Sequence, residues 1–80
     1  YQWATRGLAQ ESTLFEWLVA LYDTWACIDA EILAAAARAG LASLAVSGCS
    51  TTTDHHYVFP RDAGDLLAAE IDAAAAIGLR

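Results

Sequence analysis

The fold of this chain is decided by residues 47–60, which read Ser47-Gly-Cys-Ser-Thr-Thr-Thr-Asp-His-His-Tyr-Val-Phe-Pro60. An alanine-rich run ends just before this stretch, and the β-branched threonines then predict a strand over about residues 51–57. The carboxyl end of that strand carries four side chains that can bond, titrate or stack: Asp54, His55, His56 and Tyr57. In folds built on parallel strands, sites assemble at this end. The stretch therefore indicates an α/β enzyme.

The chain before the strand is predicted to contain a loop and then a helix. Residues 1–12 show no clean period and are expected to form the loop. Thr13 and Glu16 make a capping-box pattern, in which each side chain satisfies a free backbone donor at a helix start. Apolar residues then recur at helical spacing, which predicts a helix over about residues 13–25.

Two further helices are predicted, one on each side of the strand. Asp29 is a natural cap for a helix over about residues 29–47, and either Asp62 or Asp65 caps a helix over about residues 62–77. Small residues on the first of these allow close approach to a sheet: Ala37, Gly40 and Ala45. The residues expected to face inward on the last helix are Leu67, Ile71, Ala74 and Ala75. Helices alternating with strands are typical of a barrel or a doubly wound sheet.

The composition indicates a piece of a larger fold. The chain has 80 residues and is 58% hydrophobic, whereas an independent domain this small needs many polar residues to cover its surface. We therefore expect some apolar faces to be covered by polypeptide outside this segment. In isolation the chain should be helix-rich, because a single strand has no partner for its backbone groups.

Charge and cysteine content exclude several classes of function. The net charge is −6, with four arginines and no lysine, so nucleic-acid binding through phosphate contacts is not expected. The longest apolar run, residues 32–46, is shorter than the roughly 20 residues of a membrane span. Cys27 and Cys49 are too far apart for a CxxC pair. Two thiols without a disulfide framework favour a reducing compartment, and a cytoplasmic location is predicted.

Alternation along the strand divides the candidate site residues into two pairs. Asp54 and His56 should share one face, and His55 and Tyr57 the other. Two adjacent histidines cannot easily bind one metal ion from a regular strand. Either could instead contact a substrate or orient a metal-bound group, and the alternative is a histidine that is hydrogen-bonded to a neighbouring strand or loop.

Gln2 and Trp3 are the other candidates for binding, because they lie in an irregular segment. A glutamine amide can read both a donor and an acceptor on the edge of a heterocycle, and an indole can stack on its face. We therefore predict substrate contacts for Gln2, Trp3, His55 and His56.

The chain resembles a known family at three places, which read Tyr1-Gln2-x-x-Thr5-Arg6, Leu14-Phe-Glu-Trp-Leu18 and the stretch 47–60 quoted above. These motifs are similar to the amidohydrolase superfamily, and in particular to 8-oxoguanine deaminases and related triazine or chloroatrazine hydrolases. The resemblance covers essentially all 80 residues. It implies a segment of a (β/α)8 TIM barrel, comprising about the second strand with its flanking helices.

The resemblance also implies an activity for the whole protein. It would be a metal-dependent hydrolase acting on C–N bonds, which deaminates a small heterocycle such as 8-oxoguanine. A divalent metal, usually zinc, would be bound by residues outside this segment, since no residue here matches a catalytic group or a metal ligand of the family. The segment alone is expected to be inactive. Gln2 is similar in position to the glutamine that contacts the purine in related guanine deaminases.

Two alternatives stay open. The substrate could be a triazine or another purine- or pyrimidine-type heterocycle. In a different class, the chain could be a small helical interaction module without enzymatic activity, since uncovered apolar faces are what such a module presents to a partner. The oligomeric state is open as well, and a homo-oligomer is compatible with the sequence.

Overall fold

The computed structural model describes all 80 residues. A 3-10 turn, Gln2–Thr5, is followed by three helices, α1 (Leu14–Trp25), α2 (Ala30–Val46) and α3 (Leu66–Ile77). The expected helix-rich character is confirmed. The loop predicted over residues 1–12 begins with the 3-10 turn and continues as turns.

The strand predicted over residues 51–57 does not form, and this prediction is wrong for the present structure. The physical reason is that almost all of its backbone lacks a neighbour to pair with. One residue does pair with it. The Thr52 amide donates to the Arg80 carbonyl at 2.8 Å, and the Arg80 amide donates to the Ser50 carbonyl at 3.1 Å. Arg80 is thus hydrogen-bonded to two residues, Ser50 and Thr52, that lie two positions apart. This is the hydrogen-bond pattern of adjacent parallel strands.

The helix starts follow the caps expected from the sequence. The Glu16 carboxylate accepts hydrogen bonds from the Thr13 amide at 2.9 Å and the Thr13 hydroxyl at 2.8 Å. The Asp29 carboxylate accepts from the third amide of α2 at 2.8 Å. Asp65, and not Asp62, caps α3. Asp62 has a φ of 60° in the turn before it, so α3 begins four residues later than predicted.

A hydrophobic core is built around Trp25 of α1. Trp25 and Leu33 are its two fully buried large side chains. The ring of Tyr1 meets the Trp25 indole edge-on at 5.2 Å, and the Trp25 Nε1 donates to the Thr5 hydroxyl at 3.1 Å. This hydrogen bond ties the 3-10 turn to α1. The other core members come from α1, from the connections and from the start of α3: Leu21, Ile28, Val58, Ala63 and Leu66.

α2 occupies the middle of the molecule, where it packs against α3 and the 3-10 turn. Gly40 makes the second contact possible. A Cβ atom at that position would lie 2.6 Å from Trp3 Cδ1 and 2.8 Å from Trp3 Nε1. The small residues of α2 were expected to approach a sheet, and Gly40 instead admits the indole of Trp3.

The outer sides of α1 and α3 are open. Phe15 and Val19 on α1 are 78% and 75% exposed, and Leu67 and Ile71 on α3 are 50% and 66% exposed. The inward face predicted for α3 is therefore wrong, because Leu66 and Ala73 are the residues that it buries. This helix is apolar on nearly every side, so spacing alone does not select the face that finds a partner.

The molecule is flat, with extents of 34 × 30 × 16 Å. Only 14 of the 80 residues are buried, because a flat molecule with one thin core has little interior. No helix combines the length and the apolar character that a membrane crossing requires.

Candidate functional site

Three polar side chains from two elements meet beside the core. Asp54 and His56 lie two residues apart in the connection between α2 and α3, and Glu70 lies on α3. The His56 Nδ1 atom is 3.3 Å from Glu70 Oε2 and 3.6 Å from Asp54 Oδ2. The expected alternation is present although no strand forms, since Asp54 lies beside His56, and the rings of His55 and Tyr57 lie beside each other with their centroids 5.7 Å apart.

The His56 ring is held in one orientation. Its side chain is only 4% exposed, and its ring packs edge-on against Tyr1 at 5.2 Å and Phe59 at 4.8 Å. Nε2 lies 2.8 Å from the Val58 carbonyl oxygen. A carbonyl can only accept, so Nε2 must carry the proton that it donates. In the neutral ring, Nδ1 is then a lone pair facing two carboxylates.

The electrostatics of this cluster are unfavourable without a positive charge. Nδ1 is buried and has no hydrogen-bond partner. Burial, followed by the nearby Asp54 charge, raises the pKa of the Glu70 carboxyl above its ordinary value, while the Tyr1 α-ammonium group and His56 act in the opposite direction. Three acceptors pointing at one another require a proton or a cation between them. The arrangement can therefore hold either.

A cavity of about 220 Å³ opens next to the cluster. Asp54 and Glu70 line it together with Thr52, Thr53 and five residues of α2: Ala36, Ala37, Gly40, Leu41 and Leu44. This volume is smaller than the roughly 300–1,000 Å³ of most ligand pockets. It could hold part of a flat ring, with the remainder of the ligand outside.

Two of the four predicted substrate-binding residues, Gln2 and Trp3, border this cavity. The Trp3 indole is held between elements, since the Arg6 guanidinium lies 4.5 Å from its ring centroid and Gly40 meets its edge. A guanidinium over an indole is a stabilising cation–π arrangement.

The two histidines have different surroundings. His56 is buried beside the two carboxylates that line the cavity, whereas His55 is exposed and does not line it. The structure thus brings Gln2, Trp3 and His56 to one region and leaves His55 outside. A role in substrate binding stays a prediction for all four.

Sequence reasoning missed Glu70. The signal that could have found it is its spacing from the buried residues of α3, because Leu66, Glu70 and Ala73 recur at intervals of four and three and so share one helix face. The larger apolar residues one position further along, Leu67 and Ile71, drew the prediction to the wrong face.

The sequence of this chain is similar to those of deaminases of the amidohydrolase type. It is 38% identical over 82 residues to an 8-oxoguanine deaminase from Pseudomonas aeruginosa, an alignment that covers 100% of this chain and 18% of that protein. It is 42% identical over 75 residues to an isoxanthopterin deaminase from an unknown prokaryotic organism, covering 88% of this chain and 15% of that protein.

The resemblance expected from the motifs is confirmed by these two relatives, and it is a resemblance to a segment. The chain spans less than a fifth of the length of either relative. No protein-family model matches the chain, and no solved structure matches it.

Proposed function

We propose that this chain is a segment of a metal-dependent aminohydrolase that removes the exocyclic amine from a heterocycle, with 8-oxoguanine as the first candidate substrate. The observation that carries the proposal is the 38% identity to an 8-oxoguanine deaminase along the whole of this chain. The other observations below support it independently of that similarity.

The backbone supports a place in a parallel β/α fold. Ser50 and Thr52 hydrogen-bond to Arg80 in the parallel pattern, and α3 lies between these two points of the chain. A stretch, a helix and a second stretch paired in parallel with the first form the unit from which a (β/α)8 barrel is built. In that barrel, residues 51–57 would become the second strand once a neighbour supplies partners on the other side.

The exposed apolar surfaces support the same arrangement. Phe15 and Val19 on α1, and Leu67 and Ile71 on α3, are each at least half exposed. The molecule is only 16 Å thick. Exposed large apolar side chains that share a helix side favour a face that contacts other polypeptide. In a barrel, that polypeptide is the adjacent β/α units.

The cavity supports the binding of a heterocycle. It opens beside residues 52–54 of the predicted strand, and Asp54 belongs to the polar group at the strand's carboxyl end, which is where barrel enzymes place their sites. The Gln2 amide would donate to and accept from the edge of the heterocycle, and the Trp3 indole would stack on its face. The segment's own part is to bind and orient the substrate and to keep water from its ring.

The proposed metal is a zinc ion. Such an ion lowers the pKa of bound water to near 7, so that hydroxide is available for hydrolysis at neutral pH. The residues that match the family's catalytic metal ligands are expected outside this chain.

A pterin is the second candidate substrate, because the other relative, at 42% identity, is an isoxanthopterin deaminase. The two substrates share an amine on a fused nitrogen ring and differ in the ring system that the pocket must enclose. A triazine substrate stays an alternative prediction from the motifs. An interaction module without activity would also use the exposed apolar faces.

A substrate panel with matched variants tests the proposal. The whole protein is assayed for ammonia release from 8-oxoguanine, isoxanthopterin and an aminotriazine, and the Gln2→Ala variant is compared with Gln10→Ala. Gln10 is an exposed amide of the same loop that does not line the cavity. We expect kcat/KM to fall at least about tenfold for Gln2→Ala, as loss of a hydrogen bond to substrate of about 1.4 kcal/mol or more implies, and to be unchanged for Gln10→Ala.

Equal kinetics for the two variants would remove Gln2 from the binding site. A zinc-loaded, folded protein that released ammonia from none of the three compounds would overturn the proposed activity and favour the interaction module.

A further inference from the structure

We propose that Asp54, His56 and Glu70 bind a divalent transition-metal ion, with zinc as the preferred occupant. This departs from the expectation that no residue of the chain binds metal. It depends only on the contacts among these three residues, so it can be tested apart from any deaminase activity.

The two separations that involve the His56 Nδ1 atom match the dimensions of a zinc site. His56 Nδ1 lies 3.3 Å from Glu70 Oε2 and 3.6 Å from Asp54 Oδ2, and all three atoms lie within 4.8 Å of one another. Zinc binds imidazole and carboxylate atoms at about 2.0–2.2 Å in a tetrahedron, which places neighbouring ligand atoms about 3.3–3.6 Å apart. Only the two carboxylates would need to move, and by a small amount.

The orientation of His56 is that of a metal ligand. Nδ1 is buried, points at both carboxylates and lacks a hydrogen-bond partner, in a side chain that is 4% exposed. The Nε2 atom on the other side of the ring is 2.8 Å from the Val58 carbonyl. Metal-binding histidines typically donate their second N–H to such an oxygen, which fixes the tautomer and leaves the first nitrogen free for the ion.

The charge of the cluster calls for a cation. No arginine forms a salt bridge with either carboxylate, and the chain has no lysine. The Tyr1 α-ammonium group acts on Glu70 through space but forms no salt bridge with it. Both carboxylates approach the buried His56 Nδ1 atom within 3.6 Å, so two acidic groups are crowded here. A divalent ion would offset their negative charge and would satisfy the Nδ1 lone pair.

The surroundings leave a path and an open position for the ion. Asp54 is 48% exposed, and both carboxylates line the cavity of about 220 Å³. A fourth ligand, water or an atom of a bound molecule, could enter from that side. One imidazole with two carboxylates suits zinc or cobalt better than magnesium or calcium, which favour oxygen ligands alone.

The test is a zinc titration of the metal-stripped chain, followed by calorimetry and by the visible absorption of Co²⁺ as a probe of coordination. We expect one zinc ion per chain, with affinity at least about tenfold weaker in His56→Gln and in Glu70→Gln. The matched controls are His55→Gln and Asp72→Asn, an adjacent imidazole and an exposed carboxylate two positions along α3 from Glu70. We expect their zinc affinity to equal that of the unmodified chain, and far-UV circular dichroism checks that each variant retains its helices.

The ¹⁵N chemical shift of the His56 Nδ1 atom separates an ion from a proton. Zinc should move this resonance at constant pH and leave the His55 ring unchanged. If no zinc binds, or if the four variants bind it equally, the proposal is wrong. Since the readout is zinc binding, failure here is distinct from failure of the deaminase assay.

Discussion

The core around Trp25 and the outer sides of α1 and α3 contain the same kinds of residue and differ in what covers them. Trp25 and Leu33 are fully buried, whereas Phe15 and Val19, on the same helix as Trp25, are about three-quarters exposed. Apolar spacing produced a helix in each case. Burial followed only where another part of this chain supplied a partner. The outer sides are therefore the surfaces on which the proposed barrel would place further polypeptide.

Replacing one aromatic residue in each region, Trp25 in the core and Phe15 on the outer side of α1, should give the largest difference in stability. Trp25→Ala should destabilise the fold by about 3–5 kcal/mol, because it leaves a large cavity and removes the hydrogen bond to Thr5. A small domain of this size has little stability to lose, so we expect loss of the cooperative transition in urea, followed by circular dichroism. Phe15→Ala should change the midpoint by the equivalent of less than about 0.5 kcal/mol.

A Phe15→Ala variant that unfolded as readily as Trp25→Ala would show that the outer side of α1 is not open. In the whole protein, the same Phe15 substitution should become destabilising, because further polypeptide would then cover the side chain.

The contact between Gly40 and Trp3 lies at the border between the buried core and the exposed surface, and it can be tested by substitution. Gly40→Ala places a methyl group 2.6 Å from the indole, so the indole must move, and we expect a cost of about 1–2 kcal/mol after the better helix propensity of alanine is included. In a Trp3→Ala background the clash is absent. The same substitution should then stabilise the chain by up to about 1 kcal/mol.

The double-mutant cycle, measured by urea denaturation, isolates the contact between the two residues. If Gly40→Ala has the same effect in both backgrounds, the indole does not rest on α2. The prediction for Trp3 as part of the pocket would then lose its support.

The smallest expected effect is a pH dependence at the polar edge of the core. The pKa of Glu70 is raised in the folded chain above its ordinary value of 4.5, so the folded state holds this proton more tightly than the unfolded state. Its stabilising contribution is complete below pH 4.5 and is lost as the pH rises through the folded pKa. Metal-free Glu70→Gln should therefore lose less stability than the unmodified chain as the pH rises from 4 to 7.5.

Urea midpoints across this range, in the presence of a chelator, provide the measurement, and Asp72→Asn is the control with an unchanged profile. If the urea midpoints of Glu70→Gln and of the unmodified chain changed equally with pH, the pKa of Glu70 would not be raised in the folded chain. Zinc should stabilise the unmodified chain and Asp72→Asn more than Glu70→Gln, because the first two retain both carboxylates for the ion.

Local chemistry was readable in the sequence because it depends on neighbours along the chain. The Thr13–Glu16 capping box and the Asp29 cap both follow from residues within a few positions of one another. The pairing of side chains at Asp54 and His56 was predicted in the same way, from alternation alone.

Features that depend on distant partners were not readable. The strand over residues 51–57 needs neighbouring strands, and only Arg80 pairs with it. The inward face of α3 depends on which side meets α2, and the larger side chains Leu67 and Ile71 indicated the wrong one. Glu70 was missed for the same reason, since its meeting with His56 exists only after α3 has packed.

Ammonia release from 8-oxoguanine by the whole protein is the most direct test of the proposal that this chain is part of an enzyme that deaminates a heterocycle with the help of a metal ion. We expect steady-state release of ammonia that stops when a chelator removes the metal and returns when zinc is added. Folded, zinc-loaded protein that releases no ammonia from 8-oxoguanine or isoxanthopterin would contradict it.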